Sequence, residues 1–347
     1  MPRKLHRALL VGLVVLASVG PGAAADREDR LDRFRELAAS RLGLAQILAT
    51  DSPTEAYREI YALLDDEIVE SLASGGPFAS LAFLQDRLDT FADAWGGATL
   101  SLVRAGDVMV GAFVLDERSD GNSVRVYGRL PGEGAALLTA FSREGRPTVY
   151  GWPDARDAAF LVAWEGMPSG WGTRPLRVEL LRRAGDRMHV AWSTATLFTE
   201  GLLARSWSVR GREVRIRYEV RYPGWTPGCA GQTEQEDVYR LAVAAPVVRV
   251  ARQEYDAWHR DLHAVVARLA AALSARDETV LGPLVPDRAL RARLPATLRA
   301  EPACDAREGA GSDAVSVAAE ADRQPWTLTF RRMAGRWRLT AASRVLQ

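Results

Sequence analysis

The chain has 347 residues, of which 48% are hydrophobic and 26% are charged. These proportions are ordinary for globular protein and exclude a chain that is disordered throughout. The formal net charge of +1 gives no electrostatic reason to expect a nucleic-acid partner. The length is too great for one compact core and predicts two or three domains.

The N-terminus has the pattern of a cleaved export signal. Arg3, Lys4 and Arg7 precede an apolar run of 12 residues, and small residues follow this run up to Ala25. The run is shorter than the roughly 20 residues that cross a membrane as a helix. We therefore expect residues 1–25 to be removed and the protein to be periplasmic or secreted, with no stable membrane span. An uncut N-terminal anchor is the alternative.

The composition also limits the chemistry. Lys4 is the only lysine, so the exported form would contain none. Schiff-base, pyridoxal-phosphate, Ser-Lys and P-loop mechanisms each need a lysine amine and are therefore excluded. The motifs G-x-S-x-G, G-x-G-x-x-G and C-x-x-C do not occur in the sequence. We expect no cofactor.

Residues 26–96 are predicted to form a helical segment. Ser52 to Glu55 read SPTE, the form of a capping box at the start of a helix. The acidic run at 65–67 indicates a solvated helix face. A third helix is predicted from apolar residues at helical spacing, which are Phe78, Leu81, Leu84, Leu88 and Phe91. The apolar stripes of these helices predict a layer that packs on the region that follows.

Residues 97–254 are predicted to form an antiparallel β domain. Residues 213–221 read EVRIRYEVR, in which apolar and charged side chains alternate as in a sheet with one solvated face. Turn sequences at 104–107, 183–186 and 210–213 help to separate about a dozen such runs, a spacing typical of a β-sandwich. The runs also fall into three groups that resemble propeller blades, but a closed propeller needs roughly four to eight.

Residues 255–347 return to a helical pattern and end in strands. Apolar residues from Leu262 to Leu273 predict one long helix, and two short helices are predicted around Leu281 and Leu290. A strand and a terminal hairpin follow. The expected fold class is α+β and multi-domain, with an N-terminal helical layer, a central antiparallel β domain and a small C-terminal α+β domain.

Two stretches of this C-terminal region read WHRDLHAVVARLAAALSARDETVLGPLVP at 258–286 and GRWRLTAAS at 335–343. With them, the region resembles the small exported members of the NTF2-like cone fold. The resemblance implies that a long helix, two short helices and a curved sheet enclose a pocket. Because NTF2-like domains include both enzymes and dimerisation modules, the resemblance implies no particular activity.

His259 and His263 are the candidate metal ligands. Four residues apart on a helix they share one face, and Glu254 or Asp261 is the candidate acidic neighbour. The sequence reads HRDLH rather than HExxH, so the glutamate that activates water in that motif is missing. The other histidine of the exported form, His189, is predicted to lie in a distant strand. A histidine pair without a metal is the alternative.

Tryptophans in Gly- and Pro-rich loops are the candidate ligand-binding residues. Trp152, Trp171 and Trp225 lie in such loops, and exposed aromatic rings stack on the apolar faces of sugars. Trp164 and Trp192 lie in strand runs, where burial is expected. A core or loop-anchoring role for the loop tryptophans is the alternative.

The two cysteines, Cys229 and Cys304, are expected to form a disulfide because an exported protein meets oxidising conditions. This bond would tie the central β domain to the C-terminal domain. The alternative is a nucleophilic Cys229 with His259 as its base. Residues 116–122 read DERSDGN but lack calcium ligands at the third and twelfth positions of the motif, so a hairpin turn is predicted there.

These features predict an exported, non-catalytic binding or interaction protein of the cell envelope, with an unknown protein or polysaccharide as its ligand. An export signal and loop aromatics are present, whereas no complete catalytic set has the correct spacing. The alternative is a periplasmic hydrolase that uses the helix face of His259 and His263, with or without a divalent metal.

Overall fold

A computed structural model describes residues 29–40, 53–115, 121–152, 158–242, 245–307 and 313–345. The helices in this part of the chain are α1 (29–40), α2 (Pro53–Ser74), α3 (Leu81–Trp95), α4 (Ala257–Ala275), α5 (Glu278–Leu284) and α6 (Arg288–Arg293). Short 3-10 helices occupy Gly76–Ala79 and Thr194–Thr196. No helix within the described ranges is both long and apolar enough to cross a membrane.

The strands form three antiparallel sheets. The first sheet contains β1 (Thr99–Ala105), β2 (Val108–Val114), β3 (Asn122–Leu130) and β4 (Gly134–Phe141). The second contains β5 (Arg146–Gly151), β6 (Ala159–Glu165), β7 (Arg174–Ala184), β8 (Arg187–Ser193), β9 (Leu203–Arg210), β10 (Glu213–Glu219), β11 (Glu234–Arg240) and β12 (Val248–Tyr255). The third contains β13 (Arg299–Ala300), β14 (Ala306–Arg307), β15 (Ala314–Ala321), β16 (Gln324–Met333) and β17 (Arg336–Arg344).

The first sheet lies between the N-terminal helices and the second sheet. All seven residues of β2 are buried, because alternate side chains of a strand face opposite sides of the sheet and both sides are covered. On one side, Phe113 packs with Phe34 and Phe91 of the helices. On the other side, Val110 packs with Trp164 of the second sheet. This part of the protein therefore has three layers, one helical and two of β-sheet.

The second sheet bends between β7 and β9. These two strands pair through only two residues, whereas β6 and β7 pair along seven. The bend brings the ring of Trp192 on β8 to 5.2 Å from the ring of Tyr239 on β11, measured between centroids. A further apolar core fills the side toward which the sheet bends. Among the described strands, β5 and β12 end the sheet without pairing to each other, so neither a barrel nor a propeller closes.

The C-terminal helices cover one face of the third sheet. Leu262 and Leu269 of α4 pack with Phe330 and Trp337 of the hairpin formed by β16 and β17, in a core that also includes residues of α5 and α6. Apolar side chains therefore fill the space between these helices and the sheet.

The α+β class, the central antiparallel region and the sandwich arrangement are confirmed. The region 97–254 contains twelve strands, divided between the first two sheets. The turns at 104–107, 183–186 and 210–213 each join paired neighbouring strands. The long C-terminal helix, the two short helices and the terminal hairpin also form as the sequence indicates. The domain boundaries stay predictions.

Two predictions about the helical segment are wrong. Phe78 is predicted to lie in the third helix but lies in the 3-10 helix before it. The third helix, α3, begins at Leu81 because Ser80 is its N-cap. The acidic run is not simply a solvated face, because Glu67 is 1% exposed and forms ion pairs with Arg30 and Arg87. Three predictions involve residues outside the described part. They are the export signal at 1–25, the capping residue Ser52 and the turn at 116–122, of which 116–120 are not described.

The two ends of the second sheet differ. At one end, two-residue turns join β7 to β8 and β9 to β10. At the other end, longer connections span 166–173, 194–202 and 220–233. We call these three connections the loop face. The C-terminal region begins beside the loop face, because β12 ends at Tyr255, which pairs with Glu234 at the start of β11.

Candidate functional site

A groove of about 700 Å³ opens on the loop face. It lies between the ends of β6 and β7 and the connection that follows β8. This volume falls within the range of small-molecule binding sites. The lining combines apolar and charged side chains, which include Trp164, Pro175, Phe198, Arg143, Arg177 and Glu165.

Trp171 is 58% exposed on the loop face. Its indole lies against the backbone of Gly228, where a Cβ would come within 2.1 Å of the indole Nε1. Arg205 donates a hydrogen bond to the carbonyl oxygen of Trp171. Met167 and Leu197 also expose their side chains on this face, by 61% and 51%. The loop face therefore presents apolar surface on a supported backbone.

A buried carboxylate lies beneath the groove. Glu179 is 1% exposed and accepts hydrogen bonds from Nε1 of Trp164 at 3.2 Å and from Nε of Arg177 at 2.8 Å. Nε of Arg143 lies 3.7 Å from the same carboxylate. The two arginine side chains are 39% and 31% exposed, so they remain accessible to a polar ligand in the groove.

The other two candidate tryptophans occupy different places. Trp225 is half-buried in the loop face, and the guanidinium carbon of Arg221 lies 5.5 Å from the centroid of its ring. Trp152 is half-buried at the opposite end of the second sheet, where its Nε1 donates a hydrogen bond to the carbonyl oxygen of Gly211 at 3.2 Å. The structure therefore brings Trp171 and Trp225 to one face and leaves Trp152 outside it.

The strand tryptophans follow the expectation of burial to different degrees. Trp164 is 1% exposed and packs in the core between the first two sheets. Trp192 is half-buried, because it lies beside the bend of the second sheet.

A disulfide joins the loop face to the C-terminal region. Cys229 and Cys304 are bonded, and their Cα atoms lie 5.2 Å apart. The predicted pairing is confirmed, and Cys229 therefore offers no thiol for the nucleophilic alternative. Gln232 braces the same loop, since its Oε1 accepts a hydrogen bond from the N–H of Thr226 at 2.7 Å and its Nε2 donates one to the carbonyl oxygen of Cys229 at 3.1 Å.

His259, His263 and Asp305, which we call the His–Asp cluster, meet beside this disulfide. The two histidines lie one turn apart on α4, and their ring centroids are 4.6 Å apart. Oδ2 of Asp305 lies 2.9 Å from Nε2 of His259 and 2.6 Å from Nε2 of His263. The three side chains are 3%, 4% and 2% exposed, in the order His259, His263, Asp305. The cluster is therefore buried between α4 and the segment that joins β13 to β14.

Tyr222 connects the His–Asp cluster to the loop face. Its hydroxyl lies 2.6 Å from Nδ1 of His259 and accepts a hydrogen bond from the N–H of Thr233 at 3.1 Å. The hydroxyl of Thr233 accepts a hydrogen bond from the N–H of Arg260, in the first turn of α4, at 3.1 Å. These bonds fix the orientation of the His259 ring relative to both α4 and the loop.

Gly224 gives His263 the room that it needs. Its φ is +92°, and a Cβ at this position would lie 1.8 Å from Nδ1 of His263. Glycine alone tolerates both this backbone conformation and this close approach. A cavity of about 160 Å³ borders His263 and is also lined by Trp225 and Pro302.

The His–Asp cluster holds a buried negative charge. Burial by itself would raise the pKa of Asp305, but the hydrogen bonds from His259 and His263 outweigh it and lower that pKa from its ordinary value. Burial raises the pKa of the Tyr222 hydroxyl. At neutral pH, Asp305 is therefore an ionised carboxylate and Tyr222 a neutral phenol.

The acidic neighbours suggested by the helix pattern lie outside the cluster. Glu254 forms an ion pair with Arg260 at 2.6 Å. Asp261 is 56% exposed, and its carboxylate lies 3.5 Å from the same guanidinium. His189 is exposed on β8. The acid that meets the two histidines is instead Asp305.

Asp305 could not be identified from the sequence, because no local pattern marks it. It lies 42 residues after His263 in a short connection between strands, where no periodicity predicts the direction of a side chain. One feature of the sequence does bear on the position of Asp305. The predicted disulfide between Cys229 and Cys304 places Asp305, the residue after Cys304, close to the connection 220–233, which also carries Tyr222 and Gly224.

Comparison of the chain with models of protein families, with curated proteins and with solved structures gives no match. The NTF2-like resemblance of residues 255–347 stays a prediction. Function is therefore inferred from the loop face and the His–Asp cluster alone.

Proposed function

We propose that this protein is an exported, non-catalytic binding protein and that the loop face binds its ligand. The observation that carries the proposal is Trp171, which is 58% exposed on the connection 166–173, whose residues Gly166 and Met167 line a groove of about 700 Å³. Exposed apolar patches and concave surfaces with a few polar groups are the features that mark binding sites, and the loop face has both.

Contacts within the protein support the loop face. The Trp171 indole rests on Gly228, the neighbouring Cys229 is fixed by the disulfide, and Gln232 is hydrogen-bonded within the same loop. Binding to a surface that is already ordered costs less conformational entropy, so a larger part of the contact energy appears as affinity.

The chemistry of the loop face favours a polysaccharide. An exposed indole stacks on the apolar face of a sugar ring, and the arginines above Glu179 offer donors to hydroxyl or carboxylate groups. Arg143 and Arg177 both line the groove. We therefore propose that a sugar ring stacks on Trp171 while neighbouring units lie along the groove.

Retention on immobilised cell-envelope polysaccharides tests this proposal. We expect Trp171→Ala to lower the affinity about 10-fold or more, because a stacking surface of this size is lost. Trp152→Ala is the matched control, since Trp152 lies at the other end of the second sheet, and it should bind as the wild type does. Trp225→Ala should weaken binding less, because its ring is half-buried.

Two results would contradict the polysaccharide proposal. One is equal retention of the wild type and Trp171→Ala. The other is no retention of the wild type on any polysaccharide. In that case the ligand of the loop face would have to be a protein. Circular dichroism of each variant separates lost binding from lost folding.

A metal-dependent hydrolase is the second candidate, because Asp305 completes a set of three donors with His259 and His263. It ranks second because these side chains are at most 4% exposed, which leaves a substrate no direct access to them. A hydrolase of this kind would cleave ester or amide substrates in a manner that His263→Gln abolishes and Trp171→Ala does not.

We also propose that residues 255–347 are an NTF2-like domain. The order of one long helix, two short helices and a sheet supports this proposal. Since side chains such as Phe330 and Trp337 fill the space between the helices and the sheet, we place the ligand on the loop face rather than inside this region.

A further inference from the structure

The His–Asp cluster has the donor set of a transition-metal site. Its three donor atoms all lie within 4.8 Å of one another. Two imidazole nitrogens and one carboxylate oxygen are ligands that Zn²⁺ and related borderline cations accept, whereas Ca²⁺ and Mg²⁺ prefer oxygen ligands alone. The donors come from two separate segments, α4 and the connection between β13 and β14.

The charge of the cluster calls for a cation. Asp305 is buried, and in the described part of the chain its ion pairs are with His259 and His263. A buried carboxylate is costly unless a positive charge compensates it. A metal ion between the three side chains would supply that charge at the point where both Nε2 atoms approach Oδ2 of Asp305.

The surroundings of His259 fit a metal ligand. A metal-bound histidine presents its second ring nitrogen as an N–H donor to an outer oxygen, which fixes the ring. Nδ1 of His259 lies 2.6 Å from the hydroxyl oxygen of Tyr222, which itself accepts the N–H of Thr233. The Tyr222 hydroxyl rotates, so the same contact serves a metal-bound imidazole and a metal-free one.

The distances from Asp305 to the two histidines are somewhat shorter than those of a zinc site. In a tetrahedral zinc site with bonds of about 2.0 to 2.1 Å, a nitrogen and an oxygen ligand lie about 3.3 Å apart. The observed separations are 2.9 Å and 2.6 Å, so the carboxylate would withdraw by about half an ångström. A cavity of about 160 Å³ borders His263, so this side of the site is not closely packed.

We propose that His259, His263 and Asp305 bind one Zn²⁺ ion, or a similar divalent transition-metal ion, which ties α4 to the segment that carries Cys304. Burial of all three side chains assigns this site a structural role. Trp171 and the residues that line the groove are not part of this site.

Zinc binding to the purified full chain, with its disulfide intact and its metals removed by chelation, tests this proposal. We expect the wild type to retain about one equivalent of Zn²⁺ after gel filtration, and its thermal midpoint to rise when Zn²⁺ is present. In calorimetry, His263→Gln and Asp305→Asn should each raise the dissociation constant about 100-fold or more. The glutamine amide can still donate a hydrogen bond to Asp305, so this variant removes the ligand and keeps the contact.

His189→Gln is the matched control, because His189 is exposed on β8 and lies outside the cluster. This variant, like Trp171→Ala, should bind zinc as the wild type does. Zinc retention by the wild type below about a tenth of an equivalent would overturn the proposal, as would undiminished retention by His263→Gln. If His263→Gln fails to fold, the Co²⁺-loaded wild type decides. A tetrahedral visible spectrum supports the site, and the spectrum of free aqueous Co²⁺ contradicts it.

Discussion

Asp237 and Asp305 both have buried carboxylates, but their hydrogen-bond partners differ. Asp237 on β11 accepts hydrogen bonds from the hydroxyls of Tyr218 and Tyr239 at 3.1 Å and from Nε of Arg252 at 3.0 Å. Asp305 accepts hydrogen bonds from two histidines instead. Both carboxylates have a pKa below the ordinary value, although burial alone would raise it in each case.

The difference lies in how permanent the compensating charge is. An arginine side chain carries its charge at every accessible pH, so the environment of Asp237 is complete as it stands. A histidine is charged only when a proton is bound, so the environment of Asp305 depends on what else is present. Asp237 therefore has a permanently charged partner in its own sheet, whereas Asp305 has two partners that are not permanently charged.

The largest expected effect comes from displacing one histidine of the cluster. Gly224→Ala should lower the free energy of unfolding by about 3 kcal/mol, because it combines an unfavourable positive φ with overlap on the His263 ring. Gly211→Ala is the control, since its φ is +57° but no atom lies within 4 Å of the added Cβ, and it should lose about 1 kcal/mol. Urea denaturation measures both. Equal losses would show that His263 has no fixed position against the loop.

The next largest effect is expected at Asp237. Asp237→Asn should cost about 2 kcal/mol at pH 7, because charge-assisted hydrogen bonds are exchanged for neutral ones. Zinc binding should not change, because Asp237 lies outside the His–Asp cluster. Asp186→Asn, at the exposed turn between β7 and β8, is the matched control and should be nearly neutral.

The pH dependence of this variant has a definite sign. Since the folded pKa of Asp237 lies below its unfolded value, its stabilisation is complete above about pH 4 and is lost as the pH falls through the lower folded value. The difference in unfolding free energy between the wild type and Asp237→Asn should therefore shrink below about pH 4. A difference that stays constant from pH 7 to pH 3 would contradict the assignment.

The smallest expected effect concerns Tyr222, which contacts one proposed zinc ligand. Tyr222→Phe removes the oxygen beside Nδ1 of His259 and should weaken zinc binding about 10-fold without changing its stoichiometry. Tyr150→Phe is the control, because Tyr150 lies on β5 and contacts Trp207 rather than the cluster. Calorimetric titration measures both variants. Unchanged affinity in Tyr222→Phe would show that the Tyr222 contact does not tune His259.

Much of the fold could be predicted from the sequence, because periodicity reports burial directly. In residues 213–219, the buried side chains are Val214, Ile216 and Tyr218, as the alternation indicates. The apolar positions of α4 likewise face the core that they predict. Short turns with Gly beside a charged residue also end strands where expected.

Long-range pairing could not be predicted, because it leaves no local pattern. Glu67 reads as part of a solvated acidic run, yet two arginines from α1 and α3 bury it. The bend between β7 and β9 depends on how two neighbouring hairpins diverge, which no single strand encodes. Asp305 meets His263 across 42 residues of sequence, a separation that no local pattern reports.

The disulfide also makes part of this protein a covalent ring. Its two cysteines are separated by 75 positions in the sequence, and the closed loop contains β11, β12 and the helices α4 to α6. A single cut in the backbone inside this ring leaves the two resulting pieces joined through sulfur. One proteolytic event there cannot release the C-terminal region, and detachment requires a reductant as well.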